Sequence, residues 1–365
     1  MASDAEFEQA GLYDPEDPHA AERHELLHYL VRRGATLDDL VEFRDELPAV
    51  AIVIALRHGD ALTVDDLARR SGVDRAQVVR IVRACGFTEP GPDERAFSEG
   101  MARLCALVPS AVDLFGDEAV FQLLRVMGAS SIRLADALVS SFLANVEPTV
   151  RDGDGGGLEV ARANASAIEL FPEVVAGMDT LLRQHLVQLR RPASGHEGGY
   201  ETRDLCVGFI DLVDSTELAR DVPMDELGTL LADFEQVASD TVTAAGGRVV
   251  KLIGDEVLYT TDDPTAAARI ALEVADRLHD HPKLPEVRAG VVSGRVMLRD
   301  GDVFGPVVHL AARVVKVGAP GDVIASAGLA GYADVPSVPL GARDVRGFGP
   351  IDLFKLLRPS EPVDH

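Results

Sequence analysis

The sequence of 365 residues contains no tryptophan, and aromatic residues make up only 5% of it. Its cores must therefore be filled by Leu, Val, Ile and Ala, which the 47% hydrophobic share supplies. The cysteines Cys85, Cys105 and Cys206 lie far apart in apolar or mixed segments. With no Cys-x-x-Cys spacing, they read as buried, reduced thiols of a cytoplasmic protein rather than a metal cluster. No run of about 18 apolar residues occurs, so no membrane span is expected. The opening stretch MASDAEFEQAGLYDPEDPHA is acidic and lacks the apolar centre of a signal peptide. Positive charge is short too: 35 Lys and Arg face 60 Asp and Glu, a net charge of −25. Such a chain is repelled by phosphate backbones and anionic bilayers, so no nucleic-acid partner is expected.

The length allows two or three domains, and the texture changes once. From about residue 20 to 190 the periodicity is helical. AERHELLHYLVRRG places Leu26, Leu27, Leu30 and Val31 on one face. Thr36 caps TLDDLVEFRDEL, with Asp39 at the capping-box position. PAVAIVIALRHG predicts a buried helix stopped at Gly59, and further helices are predicted over 112–127, 130–146 and 158–190. The Gly-rich VRDGDGGGLEV separates the last two, and the polar RRPASGHEGGYETRD reads as a linker. The expected division is a helical domain at 1–190, a linker at 191–203 and a second domain at 204–365.

In that second domain LCVGFIDLV predicts a strand, 223–244 a helix, GRVVKLIGDEVLYTT a hairpin, and DPTAAARIALEVADRLHDH a helix capped by Asp263. EVRAGVVSGRVMLRD predicts two more strands and PVVHLAARVVKVG a helix. The order β-α-β-β-α-β is the ferredoxin-like arrangement. The expected fold is thus an all-α N-terminal domain followed by an α/β ferredoxin-like domain.

Asp211 ends the first strand and Asp255 sits in the turn between the second and third. In this order the first and third strands are neighbours, so the two carboxylates can meet at one sheet edge. Carboxylates that close repel unless a divalent cation lies between them. Mg²⁺ takes one or two carboxylates and leaves room for phosphate oxygens, as in two-metal phosphoryl chemistry. The alternative is a pair of solvated strand-end residues. In DVFGPVVHLAAR, His309 and Arg313 are four apart and share a helix face.

Together FIDLVDST (209–216), KLIGDEV (251–257) and DVFGPVVHLAAR (302–313) resemble the catalytic domain of the class III nucleotidyl cyclases, over about residues 202–358. The resemblance implies that Asp211 and Asp255 bind two Mg²⁺ or Mn²⁺ ions, that Lys251 and Asp302 select adenine, and that Arg313 steadies the transition state. Backbone amides of Leu212, Val213, Asp214, Ser215 and Thr216 would hold the β- and γ-phosphates. The reaction would be adenylate cyclase chemistry, ATP to cyclic AMP and pyrophosphate. Four residues of extended strand span about 13 Å, too far for Lys251 and Asp255 to serve one small-molecule site from the same chain. The family meets this with a head-to-tail homodimer in which each site takes metals from one chain and lysine from the other. Two positions depart from the pattern. His309 stands where asparagine usually positions the ribose, and Asp214 adds negative charge where a Gly-Phe pair is frequent.

Residues 63–87 look like a helix-turn-helix carrying Arg75, Arg80 and Arg83. DNA binding is one reading; with this net charge, a packed helical pair is preferred. The layout resembles actinobacterial cyclases with a regulatory N-terminal domain, some of them pH-responsive. His24 and His28 are four apart on a predicted helix; without an evident third ligand they read as a surface or interface pair rather than a metal site. Rival functions are a catalytically silent nucleotide sensor and a DNA-binding regulator. A diguanylate cyclase is disfavoured because no Gly-Gly-Asp-Glu-Phe signature is present.

Overall fold

In the computed structural model, which describes residues 3–56, 61–146, 156–189, 196–197 and 200–358, the chain divides after residue 190 into two units. The first is helical: α1 (Asp4–Gln9), α2 (Ala20–Arg32), α3 (Leu37–Glu42), α4 (Val50–Leu56), α5 (Val64–Ser71), α6 (Arg75–Ala84), α7 (Glu99–Phe115), α8 (Asp117–Asn145), α9 (Gly156–Glu169) and α10 (Phe171–Gln188). Thr36 and Asp39 cap α3 reciprocally, at 3.2 Å and 2.9 Å. One core gathers Phe7, Leu26, Leu27, Leu30, Leu40, Val50 and Ala161. Another gathers Leu62, Leu67, Ile81, Phe97, Phe121 and Leu124. Cys105 and Cys85 are buried in the second, and burial pushes the Cys105 thiol up to about 11.

Three helix boundaries differ from expectation. The predicted helix over 112–127 is broken at Gly116, which takes φ 85°, a conformation that only glycine adopts without strain. The segment 130–146 instead continues a helix begun at Asp117. It passes Gly128 without interruption, and glycine is needed there because a Cβ would lie 2.3 Å from the Cys85 carbonyl oxygen. The segment 158–190 breaks at Leu170, ahead of Pro172, whose missing N–H suits a first turn. Among the described residues α8 is the helix long and apolar enough to cross a membrane by length and composition. Its interspersed Ser, Arg133 and Asp136 keep it from reading as an apolar run. His58, Gly59, residues 147–155 including the first part of the Gly-rich loop, and 191–195 with 198–199 of the expected linker lie outside the described residues.

The second unit is a mixed sheet with helices. Its strands run in the order β3 (Arg248–Ile253), β4 (Glu256–Thr261), β2 (Tyr200–Leu212), β5 (Val287–Arg299), β7 (Val323–Ser326), β9 (Gly349–Leu356), β8 (Ser337–Val345). The short β1 (His196–Glu197) pairs with β2, and β6 (Asp302–Phe304) with β5. Only β5 and β7 are parallel among these pairings. β2 begins at Tyr200, inside the segment expected to be linker, and EVRAGVVSGRVMLRD forms one long strand rather than two.

Helices α11 (Ser215–Asp221), α12 (Met224–Ala244), α13 (Pro264–His279), α14 (Pro306–Val314) and α15 (Ala327–Ala330) complete the unit. Cys206, Ile210 and Leu212 of β2 pack with α12 and α13, whereas Val207 and Phe209 pack with Ala311 and Val314 of α14. This period-two alternation buries both faces of β2 and explains its continuous apolar run. Gly208 is required where β2 crosses Tyr259, since a Cβ would meet the ring at 2.1 Å.

Candidate active site

Asp211 and Asp255 come from adjoining strands. β2 pairs with β4 in a register that sets Asp211 opposite Glu256, one residue past Asp255. Asp255 follows Gly254, whose φ of 62° makes the tight β3–β4 turn. The backbone carbonyl of Asp255 accepts from the Leu212 amide at 3.0 Å, and its carboxylate accepts from the Ser215 hydroxyl. The turn is thereby fastened to the end of β2.

Asp211 is 2% exposed, yet its carboxylate is fully partnered. Arg288, opposite it on β5, donates from Nε to Oδ2 at 2.7 Å, and its Nη2 forms an ion pair with the same oxygen at 2.7 Å. Lys316 donates to Oδ1 at 2.8 Å and also pairs with Glu256 at 2.9 Å. Burial works to lower the Lys316 pKa, but hydrogen bonds to Asp211 and Glu256, with their charge, outweigh it and raise it. Arg288 and Lys316 belong to no motif, and Glu256, although inside KLIGDEV, carries no assigned role there; a charged residue at a strand start or after a helix gives no signal in the sequence. The pairing of Arg288 with Asp211 follows only once the β2–β5 register is known.

Of the amides expected to face phosphate, two are already committed. Leu212 donates to Asp255, and Val213 donates to the Glu286 carbonyl at 2.9 Å. They belong to the strand end, where backbone donors are used by neighbours. Among the described residues, the amides of Asp214, Ser215 and Thr216 have no backbone acceptor outside the helix ladder. Asp214 takes the left-handed φ of 55°. That conformation suits glycine, and short Asp side chains tolerate it.

Lys251 Nζ lies 2.5 Å from Asp302 Oδ2, bringing together residues 51 positions apart. The β6 segment carries Asp302 back along β5, and Asp302 Oδ1 also accepts from the Val303 amide at 2.7 Å. His309 and Arg313 share one face of α14 and line an open cavity of about 440 Å³ with Gly305, Pro306, Gly347 and Phe348. Arg313 donates to the Arg346 carbonyl and lies over the Phe348 ring, 5.4 Å from its centroid. Three groups result: the Asp211–Asp255 end of the sheet, the Lys251–Asp302 pair, and the His309–Arg313 cavity. Among the described residues no hydrogen bond or ion pair joins one group to another.

The donor set fits divalent ions. Asp211 and Asp255 are hard oxygen ligands on a braced edge, as Mg²⁺ or Mn²⁺ require. Arg288 and Lys316 already neutralise Asp211, so a cation binding there competes with the Lys316 ammonium.

The helix-turn-helix-like segment forms α5 and α6 with Gly72 in the left-handed turn. Its arginines are engaged within the helical unit. Arg75 pairs with Asp65 at 3.0 Å, Arg80 with Asp117 at 2.7 Å while stacking on Phe121, and Arg83 with Glu89 at 2.6 Å. This segment is a packed helical pair whose arginines are ion-paired to nearby carboxylates.

No family model matches the chain. An adenylate cyclase of Streptomyces coelicolor is 35% identical over 264 residues, 70% of this chain and 67% of the relative. An uncharacterized protein of Mycobacterium tuberculosis is 33% identical over 359 residues, 96% of this chain and 93% of the relative. A pH-sensitive adenylate cyclase of the same species is 28% identical over 364 residues, 93% of this chain and 88% of the relative.

Proposed function

The chain belongs to the class III adenylate cyclase family, and on that premise we propose that it converts ATP to 3′,5′-cyclic AMP and pyrophosphate at sites shared by two copies of itself. The observation that carries this reading is the Lys251–Asp302 pair. Adenine presents an acceptor at N1 beside a donor at N6, which an ammonium and a carboxylate side by side complement. Guanine presents the reverse pattern at that edge. The strand order β3-β4-β2-β5 is the one a ferredoxin-like βαββαβ unit requires, and it supports the same reading.

In the reaction the ribose 3′-oxygen forms a bond to the α-phosphorus, the bond to the bridging α–β oxygen breaks, and pyrophosphate leaves; the 3′-hydroxyl proton is released. Asp211 and Asp255 would hold the two Mg²⁺ or Mn²⁺ ions, which when bound supply Lewis-acid stabilisation of the phosphate charge. Arg313, held by the Arg346 carbonyl, would donate to the α-phosphoryl oxygens where charge builds. His309, one helical turn away, would hydrogen-bond the ribose. The free amides of Asp214, Ser215 and Thr216 would receive the terminal phosphates. The helical unit would regulate turnover, a reading supported by the pH-sensitive relative that matches along almost the whole chain.

Incubating the full chain with ATP or GTP and Mn²⁺, then identifying the product by mass spectrometry, tests the proposal. Cyclic AMP from ATP is expected, with little product from GTP. A preference for GTP, or no cyclic product from folded protein, defeats it.

The Lys316 clamp yields a second expectation. Lys316→Met removes the ammonium that competes for Asp211, so half-saturating Mn²⁺ should fall about two- to fivefold, the scale of one partly exposed charge pair. Metal titration of initial rate measures it, and an unchanged midpoint would show that Lys316 does not compete with the ion.

A further inference from the structure

A second cluster of coordinating atoms lies in the helical unit, and it does not depend on the cyclase reading. His24 and His28 sit one turn apart on α2, and Asp4 is the first residue of α1. His24 Nε2 is 3.0 Å and His28 Nε2 is 2.8 Å from the same oxygen, Asp4 Oδ1. The two Nε2 atoms are 3.0 Å from each other. Three donor atoms from two helices thus form a closed triangle.

Hydrogen bonds alone cannot satisfy that triangle. An imidazole nitrogen has one in-plane site, which is either an N–H or a lone pair, never both. If both Nε2 atoms carry protons and donate to Asp4, two N–H groups confront each other. If one is bare, its lone pair faces the Asp4 oxygen unless Asp4 is itself protonated, and then the other edge is left without a hydrogen. Every protonation state leaves one short edge unbonded. A single cation outside the triangle satisfies all three atoms together.

The dimensions suit a first-row divalent ion. Metal–ligand distances near 2.0–2.1 Å put neighbouring donors roughly 2.8–3.0 Å apart at octahedral angles and about 3.3–3.4 Å apart at tetrahedral angles. The observed edges of 2.8–3.0 Å match the octahedral spacing. The rings are placed by packing. Phe7 of α1 meets the His28 ring edge-on at 5.6 Å, and Tyr13 lies 5.4 Å from His24. The start of α1 is fixed by the Ser3–Glu6 capping box, and Phe7 is fully buried in the core that includes Leu26, Leu27 and Leu30. The three ligands are about a third to a half exposed, which leaves the remaining coordination positions to water.

We propose that Asp4, His24 and His28 form a binding site for a divalent transition-metal ion, Zn²⁺ being the expected occupant, that pins α1 onto α2. Two imidazoles with one carboxylate favour Zn²⁺ over Mg²⁺ and Ca²⁺, which take oxygen ligands. The site is therefore chemically distinct from the Asp211–Asp255 edge. The His pair is visible in the sequence. Asp4 is not, because its segment precedes the first clear helical periodicity and its α1 is only six residues long.

The test uses the full chain, stripped with a chelator and titrated with Zn²⁺ by calorimetry in excess Mg²⁺, so that the catalytic carboxylates are occupied. Wild type should bind one more Zn²⁺ per chain than His24→Gln/His28→Gln, and only wild type should gain thermal stability from Zn²⁺. Asp4→Asn should weaken Zn²⁺ roughly tenfold or more, at least the scale seen for lost supporting contacts at metal sites. Equal Zn²⁺ uptake by wild type and a folded double variant overturns the proposal. Should the double variant not fold, Asp4→Asn decides: an unchanged Zn²⁺ affinity in that variant overturns it equally.

Discussion

Asp255→Ala should lose roughly 10²–10⁴-fold in turnover with either Mg²⁺ or Mn²⁺, the several kcal/mol that a metal-held phosphate charge supplies, and should still melt near the wild-type temperature. Both halves of this result follow from the turn. The Asp255 side chain stands on a hairpin whose shape is set by Gly254 and by the Leu212 amide bonding the Asp255 carbonyl, and that backbone bond survives the substitution. Only the carboxylate and its hydrogen bond from Ser215 are removed. Asp211 behaves differently. Asp211→Ala removes the partner of Arg288 and one of the two partners of Lys316 at an almost fully buried position, which leaves Arg288 charged, a quarter exposed and unpaired there while Lys316 keeps Glu256. This variant should be inactive and also melt several degrees lower. Asp211→Asn, which retains the shape and one acceptor oxygen, should recover part of the melting temperature and none of the activity. Rates with both ions, set beside thermal melts of the three variants, separate the roles. Near-normal activity of Asp255→Ala with either ion would remove it from the metal site.

The contrast between the two aspartates shows where sequence reasoning reaches and where it stops. That Asp211 ends one strand and Asp255 sits in the turn before its neighbour is legible, because the apolar run LCVGFIDLV and the Gly254 turn are local signals and the β-α-β-β-α-β order sets the two strands side by side. That Arg288 and Lys316 clamp one of them is not, because it depends on a register set by β2 lying between two partners. The helical unit shows the same division. Thr36 with Asp39 marks a helix start within four residues, and the structure has it there. That Gly128 is a packing glycine inside a helix, set against Cys85, while Gly116 takes a positive φ and ends one, leaves no local trace in the sequence. The sequence leaves DNA binding open beside the preferred packed helical pair because the partners of the α6 arginines, Asp65, Glu89 and Asp117, lie 6 to 37 positions away. Lys251 and Asp302 were paired through the family resemblance, and their ion pair is visible only once β6 folds back along β5.

The separation of the three site groups within one chain leads to the sharpest test of a shared site. Lys251 is held by Asp302, Asp255 is held to Ser215 and Leu212, and no bond links the two sets among the described residues. If each site takes metals from one copy and lysine from the other, Lys251→Ala and Asp255→Ala should each be almost inactive alone. Mixed in equal amounts with free subunit exchange, they should regain activity. Random pairing makes about half the dimers mixed in a two-fold assembly, and each mixed dimer has one unmutated site and one doubly mutated site. About a quarter of wild-type activity should therefore return. The recovered activity should scale with the mixed-dimer fraction, which differently tagged copies measured by native mass spectrometry would report. It should also vanish when both substitutions are placed in the same chain and mixed with either single variant, because no unmutated site can then form. Mixed dimers demonstrated at the expected fraction, with activity no higher than the single variants, would place Lys251 and Asp255 in the site of one and the same chain.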